Sequence, residues 1–256
     1  MGLPHYPAMV AGYVTALVLW SCLARWSAGR PGDLWPRRPI RMFARPWLEL
    51  ALVFVAGSAV IGIGQLYSAG LLVPETGRWA VIGATINQAL IFAPMPLLMV
   101  IRRQGPLTAW LPMNRVWARL GVGMGLVCVV LLVYWGLRRG LPLWAELALM
   151  VEPRSLDEAV QVFLEDLTIA MLMVRLIAAL NSRVAAAGLT GALFAAGHIP
   201  AMISGGAIGP EAARLLLDAG LGFGVVFVLH RAGDLWWFWC VHYTLDMMQF
   251  VQWPPA

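Results

Sequence analysis

Apolar stretches of about 20 residues follow one another along this chain, separated by short polar segments rich in arginine and proline. Crossing the roughly 30 Å hydrocarbon core of a bilayer takes about 20 apolar residues in a helix. Within lipid the backbone must satisfy its own hydrogen bonds, which repeated apolar segments of this length do as helices. The pattern therefore predicts an all-α fold, a polytopic membrane helix bundle with about eight transmembrane helices. Composition agrees, because a chain that is 61% hydrophobic and 12% charged has too few charges to keep a soluble domain in water.

The spans are expected at 8–26, 47–67, 79–101 and 120–137, then at 156–180, 184–203, 211–230 and 235–253. No repeat or low-complexity tract divides them. A single membrane domain over 1–256 is the simplest organisation, with four helices in 1–155 and a four-helix core in 156–256 that carries the unusual polar residues.

A formal charge of +5 and a basic isoelectric point could suggest nucleic acid. Every basic residue other than histidine is Arg, however, and the arginines gather between apolar segments, as membrane topology requires. Nucleic acid is thus excluded as a partner, and membrane lipid takes its place. Arg30, Arg37, Arg38, Arg41 and Arg45 fill the first loop; Arg102, Arg103, Arg115 and Arg119 fill the third. The second and fourth carry Glu75, Glu152, Asp157 and Glu158. The positive-inside rule then puts the first and third loops in the cytosol and both termini outside, in a multi-pass protein of the inner (cytoplasmic) membrane.

Cys22, Cys128 and Cys240 lie inside apolar stretches without ligand spacing and read as packing residues. The segment before Ala8 is uncharged and the first apolar run is followed by arginines, so it reads as a retained helix rather than a cleaved leader.

An ionisable group near the bilayer centre costs about 2.5–3.5 kcal/mol on insertion scales, so each one calls for a partner or a task. Glu165 and Asp166 are adjacent in the fifth span, where low dielectric and like charge favour leaving one of them neutral or poised as a general acid or base. A helix that starts nearer Glu165 would instead put both at the interface, as Asp157 and Glu158 could be. In the sixth span, Phe194 and His198 stand at i and i+4, on one face; in the last, so do His242 and Asp246. A lone buried histidine is more often a hydrogen-bonded core residue than a catalyst, but acids and histidines on three helices can converge. His5, outside the membrane, and His230, beside Arg231 at a loop edge, receive no role.

Taken in order, Glu165-Asp166, then Phe194 and His198, then His242 and Asp246, resemble the three motifs of the CAAX-protease and bacteriocin-processing (CPBP) family: a double-acidic motif, FxxxH, and HxxxN or HxxxD. The run Gly220-Leu221-Gly222-Phe223-Gly224 and the stretch from Arg231 to Trp236 also look like the family's approach to its third motif. The resemblance covers roughly 156–250. It departs in one place: the family's first motif is usually EExxxR, whereas this chain has Asp166 for the second Glu and Ala170 in place of Arg. Arg175 is no substitute, being nearly three turns from Glu165 and about 80° round the helix.

The resemblance implies a glutamic-type intramembrane protease, in a family often labelled metalloprotease. Glu165 and His198 would activate a water that attacks a peptide carbonyl, while His242 and its partner stabilise the oxyanion. Asp166 and Phe194 would support them. Asn could donate to an oxyanion directly, but Asp does so only when protonated; otherwise Asp246 would orient and charge His242, the role expected here. No cofactor is implied. Zinc is the alternative, since two His and one Glu form a known catalytic set, although HExxH spacing is absent.

The implied substrate is a protein or peptide with a membrane-inserted or membrane-proximal C-terminal segment. With the termini outside, the site would open outward, which suits the cleavage of C-terminal sorting tags as by myxosortase-type members; prenyl-protein processing would open to the cytosol. Two other readings stand beside the protease: a non-catalytic membrane binding or immunity protein of the same fold, suggested by the missing motif-one Arg, and a proton-coupled transporter. The latter finds no inverted repeats or paired broken helices in its support.

Overall fold

In the computed structural model the described residues are 5–27, 43–138, 155–197 and 208–248, with positions 148, 152 and 199. They form nine α-helices and no strand: α1 His5–Ser27, α2 Pro46–Ser68, α3 Ala80–Phe92, α4 Pro94–Ile101, α5 Val116–Arg138, α6 Leu156–Leu180, α7 Arg183–Gly197, α8 Ile208–Ala232 and α9 Leu235–Met247. Two 3-10 turns, Gly77–Trp79 and Pro106–Ala109, lie in the loops.

The all-helical architecture follows the apolar pattern, with one difference. The third expected span is not one rod: α3 and α4 meet at a 50° bend. Pro94 and Pro96 start α4, and a proline lacks the N–H that would continue the ladder, so the chain turns where the sequence reads as uninterrupted apolar residues. By length and apolar composition, α1, α2 and α5 can cross a membrane, as can α3 and α4 together if the bent pair is one span. Among the described residues that makes up to four spans by this criterion. In α6 the charges of Glu165, Asp166 and Arg175 interrupt the apolar run.

Exposed apolar side chains cover the outside of the bundle: Trp26, Val55, Ile61, Ile101 and Trp117 are each more than 60% exposed. In water such a surface would aggregate; toward lipid it is the expected exterior. Inside, α9 packs against α5, α6 and α1. Small residues set these approaches. A Cβ at Gly123 on α5 would come within 2.9 Å of Cys240 Cβ and of the Trp237 backbone on α9. At Gly191 on α7 it would stand 2.7 Å from Ala219 O and 2.8 Å from Phe223 N on α8. Side chains could not occupy either crossing without pushing the helices apart.

Two buried arginines fix the loop between α4 and α5. Arg119 pairs with Asp234 at 2.5 Å, both side chains almost fully inaccessible, and its Nε donates to Asn114 O. Asp234 also caps α9, accepting from Trp236 N at 3.0 Å, while Leu235 N donates to Trp110 O and Trp236 Nε1 to Pro112 O. The start of α9 is therefore held by two carbonyls of this loop, Trp110 O and Pro112 O, and by the Arg119 ion pair from α5. Arg175, fully buried, donates to Gln104 Oε1 and to the carbonyls of Thr108 and Met171; Gln104 in turn joins Glu49, which also binds Arg102. Arg175 thus ties α6 to the same loop and to α2, a structural duty away from Glu165.

Candidate active site

A cavity of about 510 Å³ opens among α1, α6, α7, α8 and α9. Glu165, Asp166, Phe194, His242 and Asp246 all line it. His198 lies outside the described residues. The sequence places it four positions beyond Phe194, but its side chain has no described location.

α6 supplies the acids because successive turns bring Glu158, Gln161 and Glu165, spaced three and four residues apart, to one face. Gln161 Nε2 donates to Glu165 Oε1 at 3.0 Å, an i to i+4 contact that fixes the carboxylate's direction. Asp166, one residue on and 2% exposed, turns toward α9. There His242 Nδ1 donates to Asp166 Oδ1 at 2.7 Å. The second oxygen, Oδ2, is buried and has no hydrogen-bond partner among the described residues.

The bond from Nδ1 leaves Nε2 as the imidazole nitrogen available for chemistry. The ring is held further by Tyr13, 6.1 Å away between centroids, and by Phe238 at 5.5 Å. Trp239 Nε1 donates to Ala159 O at 2.9 Å, locking α9 against the first turns of α6 and so fixing the distance between the two motifs.

The expectation that Asp246 orients His242 differs from the structure. Nδ1 belongs to Asp166, and Asp246 lines the cavity together with Glu158. An i to i+4 pair on one helix shares a face, but here the side chain on the neighbouring helix reaches the ring nitrogen. Ala170, at the place of the motif-one Arg, lines the cavity as a fully buried methyl group. A guanidinium there would occupy part of the space that is open in this chain.

The sequence reading left several wall residues without a site role. His5, which the apolar pattern puts outside the membrane, lines the cavity, and its Nδ1 is 2.7 Å from Tyr134 Oη. Tyr6, Met9 and Tyr13 join it from α1, and Trp110 comes from the α4–α5 loop, where it adopts a left-handed conformation (φ 52°). Nothing in the apolar pattern marks those positions. Glu158 did carry a signal, since it stands seven residues before Glu165 and so on the same helical face. His230 stays outside the lining, its ring 6.1 Å from Trp110.

The arrangement combines a carboxylate, a second carboxylate bonded to an imidazole, and a further acidic pair in one concave space, a set suited to proton transfer. Among the described residues no three His, Cys, Asp or Glu side chains are placed so that they could hold a metal ion together. The zinc set considered above includes His198 and falls partly outside them.

Residues 158–248 match the family model described as type II CAAX prenyl endopeptidase Rce1-like. No curated protein and no solved structure matches the chain. The matched segment spans α6 to α9 and contains every motif residue named above, so this part of the chain is similar to the CAAX-protease family.

Proposed function

We propose that this protein belongs to the CAAX-protease family and is an intramembrane endopeptidase of the inner membrane. Its substrate on this reading is a membrane-associated or C-terminally tagged protein or peptide. The observation that carries the reading is the bond between His242 and Asp166 beside Glu165 in a single cavity.

Glu165 takes a proton from water as its oxygen bonds to the scissile carbonyl carbon, with His198 as the partner in that step. The carbonyl oxygen becomes an oxyanion near His242, whose imidazole is kept in one tautomer and orientation by Asp166. When the C–N bond breaks, the proton held by Glu165 passes to the departing amine. Water, the carboxylate and the two histidines supply these steps, and no metal is invoked. Ala170 favours one other reading, a binding or immunity protein that has kept the fold without the chemistry.

Glu165→Ala decides between them. In the source cells, uncleaved precursor should accumulate in the variant while its own membrane level matches wild type, as measured by mass spectrometry of membrane-protein C-termini. A wild-type cleavage pattern in Glu165→Ala supports the non-catalytic reading.

A further inference from the structure

Gly12 and Trp20 set α1 against α9. A Cβ at Gly12 would come within 3.1 Å of Leu245 Cδ2 on α9 and of Val130 Cγ1 on α5. Trp20 stacks on Trp237, with ring centroids 5.4 Å apart and planes 7° from parallel. The two contacts lie eight residues apart on each helix, forward along α1 and backward along α9, which is about 12 Å of helix. α1 and α9 therefore run antiparallel in one fixed register. Tyr13, next to Gly12, lies within that register and meets Phe238 and His242, with ring centroids 6.4 Å and 6.1 Å away.

Tyr13 is 6% exposed and lines the cavity, and its hydroxyl makes no hydrogen bond among the described residues. The hydroxyl of a buried tyrosine ordinarily finds a partner. Packing against Phe238 and His242 needs only the ring, so a phenylalanine would serve the fold as well. The oxygen has a use only toward something that enters the cavity.

The other lining groups say what that is. Glu158, Glu165, Asp166 and Asp246 face the same space, and an ionised carboxylate accepts hydrogen bonds but donates none. Gln161 Nε2 is engaged with Glu165 Oε1, and Thr190 Oγ1 with Met173 Sδ. An oxyanion formed among these acids needs donors, and the Tyr13 O–H stands beside the imidazole that faces that oxygen in the protease reading.

We propose that Tyr13 is a catalytic residue whose phenolic O–H donates a hydrogen bond to the oxyanion, alongside His242. The inference rests on the protease reading. As the water oxygen bonds to the scissile carbon, the carbonyl oxygen gains the electron pair of its π bond and accepts from the phenol; when the C–N bond breaks, the carbonyl reforms and the bond to the phenol weakens. The phenol keeps its proton throughout, and Glu165 still carries the water's proton to the amine. Tyr13 lies outside residues 158–248, so the first helix contributes to the chemistry as well as to the wall.

The test compares Tyr13→Phe with wild type, as full chains in lipid nanodiscs, on the precursor that accumulates in Glu165→Ala cells. The variant should lose about 10²-fold in kcat, the size of a removed oxyanion donor, with KM and the thermal transition unchanged. An unchanged kcat overturns the proposal, and so does a loss confined to KM or one accompanied by a lower thermal transition. A second measurement uses a peptide of the precursor's cleavage sequence with a phosphinate in place of the scissile amide, whose anionic oxygen imitates the oxyanion. Its Kd should rise about 10²-fold in Tyr13→Phe. Equal affinity for the two chains overturns the proposal. If no precursor accumulates in Glu165→Ala, the protease reading falls and this inference with it; if wild type cleaves the precursor and Tyr13→Phe matches it, only the role of Tyr13 falls.

Discussion

His242 and Asp166, 76 positions apart in the chain, meet side chain to side chain, with Nδ1 2.7 Å from Oδ1 in a buried setting. An acid in that position selects the tautomer of the imidazole and stabilises its charged form, much as in histidine-containing triads, where replacing the acid by its amide costs about 10⁴ in rate. Asp166→Asn should therefore lower turnover by at least about 10²-fold at an unchanged expression level. Asp246→Asn, which does not touch Nδ1, should cost far less. Single-turnover rates for the two variants check the ordering, and a larger loss from Asp246→Asn would return the orienting role to that residue.

The ion pair of Arg119 and Asp234 makes a separate prediction about stability. Both side chains are withdrawn from solvent, so removing one charge strands the other. Asp234→Asn retains an oxygen that can cap Trp236 N, which isolates the charge effect. It should destabilise the protein by about 3–5 kcal/mol, visible as an earlier thermal transition in detergent followed by tryptophan fluorescence. Adding Arg119→Met should return part of the loss, since it removes the stranded cation. A transition unmoved by Asp234→Asn would mean that the pair is not closed in the membrane.

The two pairs also show how much the sequence disclosed. Helix content, helix order and the candidate residues on α6, α7 and α9 were legible, because apolar runs and i, i+4 spacing are local properties of the chain. The partner of His242 was not. Helical spacing favours Asp246, whereas the structure selects Asp166 through the packing of α9 on α6, which Trp239 and Ala159 fix. The contributions of α1 and Trp110 to the cavity were likewise hidden, since both depend on long-range contacts. The number of membrane spans was legible only in part, because the charges that mark α6 as the site helix also interrupt its hydropathy.

Gly191 offers a test of the close crossing between α7 and α8 beside the cavity. Any side chain there meets backbone atoms, Ala219 O and Phe223 N, rather than a flexible tip. Gly191→Val should therefore separate the helices, cost about 1–3 kcal/mol in the same thermal assay, and reduce activity by shifting the wall that Phe194 shares. Gly188→Ala, one turn earlier with open space around its Cβ, should be neutral or slightly stabilising. Equal behaviour of the two variants would show that the crossing is looser than the structure has it.

Water activation by Glu165 without a metal makes an experimental commitment. Activity of purified protein should survive prolonged incubation with a strong zinc chelator and should not rise on adding zinc. Chelator-sensitive activity restored by zinc would instead give Glu165, His198 and His242 the roles of ligands, with the metal lowering the water's pKa.

The orientation of the cavity links topology to substrate class. His5 and Tyr6, at the start of α1, line the same cavity as Glu165, so the N-terminal end of α1 lies on the site's side of the bundle. The arginine bias of the first and third loops predicts that this side faces out of the cell. In a background whose native cysteines are replaced by alanine, Tyr6→Cys should react with a membrane-impermeant maleimide applied to intact cells, and Arg103→Cys should react only after lysis. That result favours a substrate whose tag is presented from the outer face. The reverse pattern would turn the cavity to the cytosol, the side on which prenylated C-termini are made, and the sorting-tag reading would be lost while the assignment of Glu165 and His242 would stand.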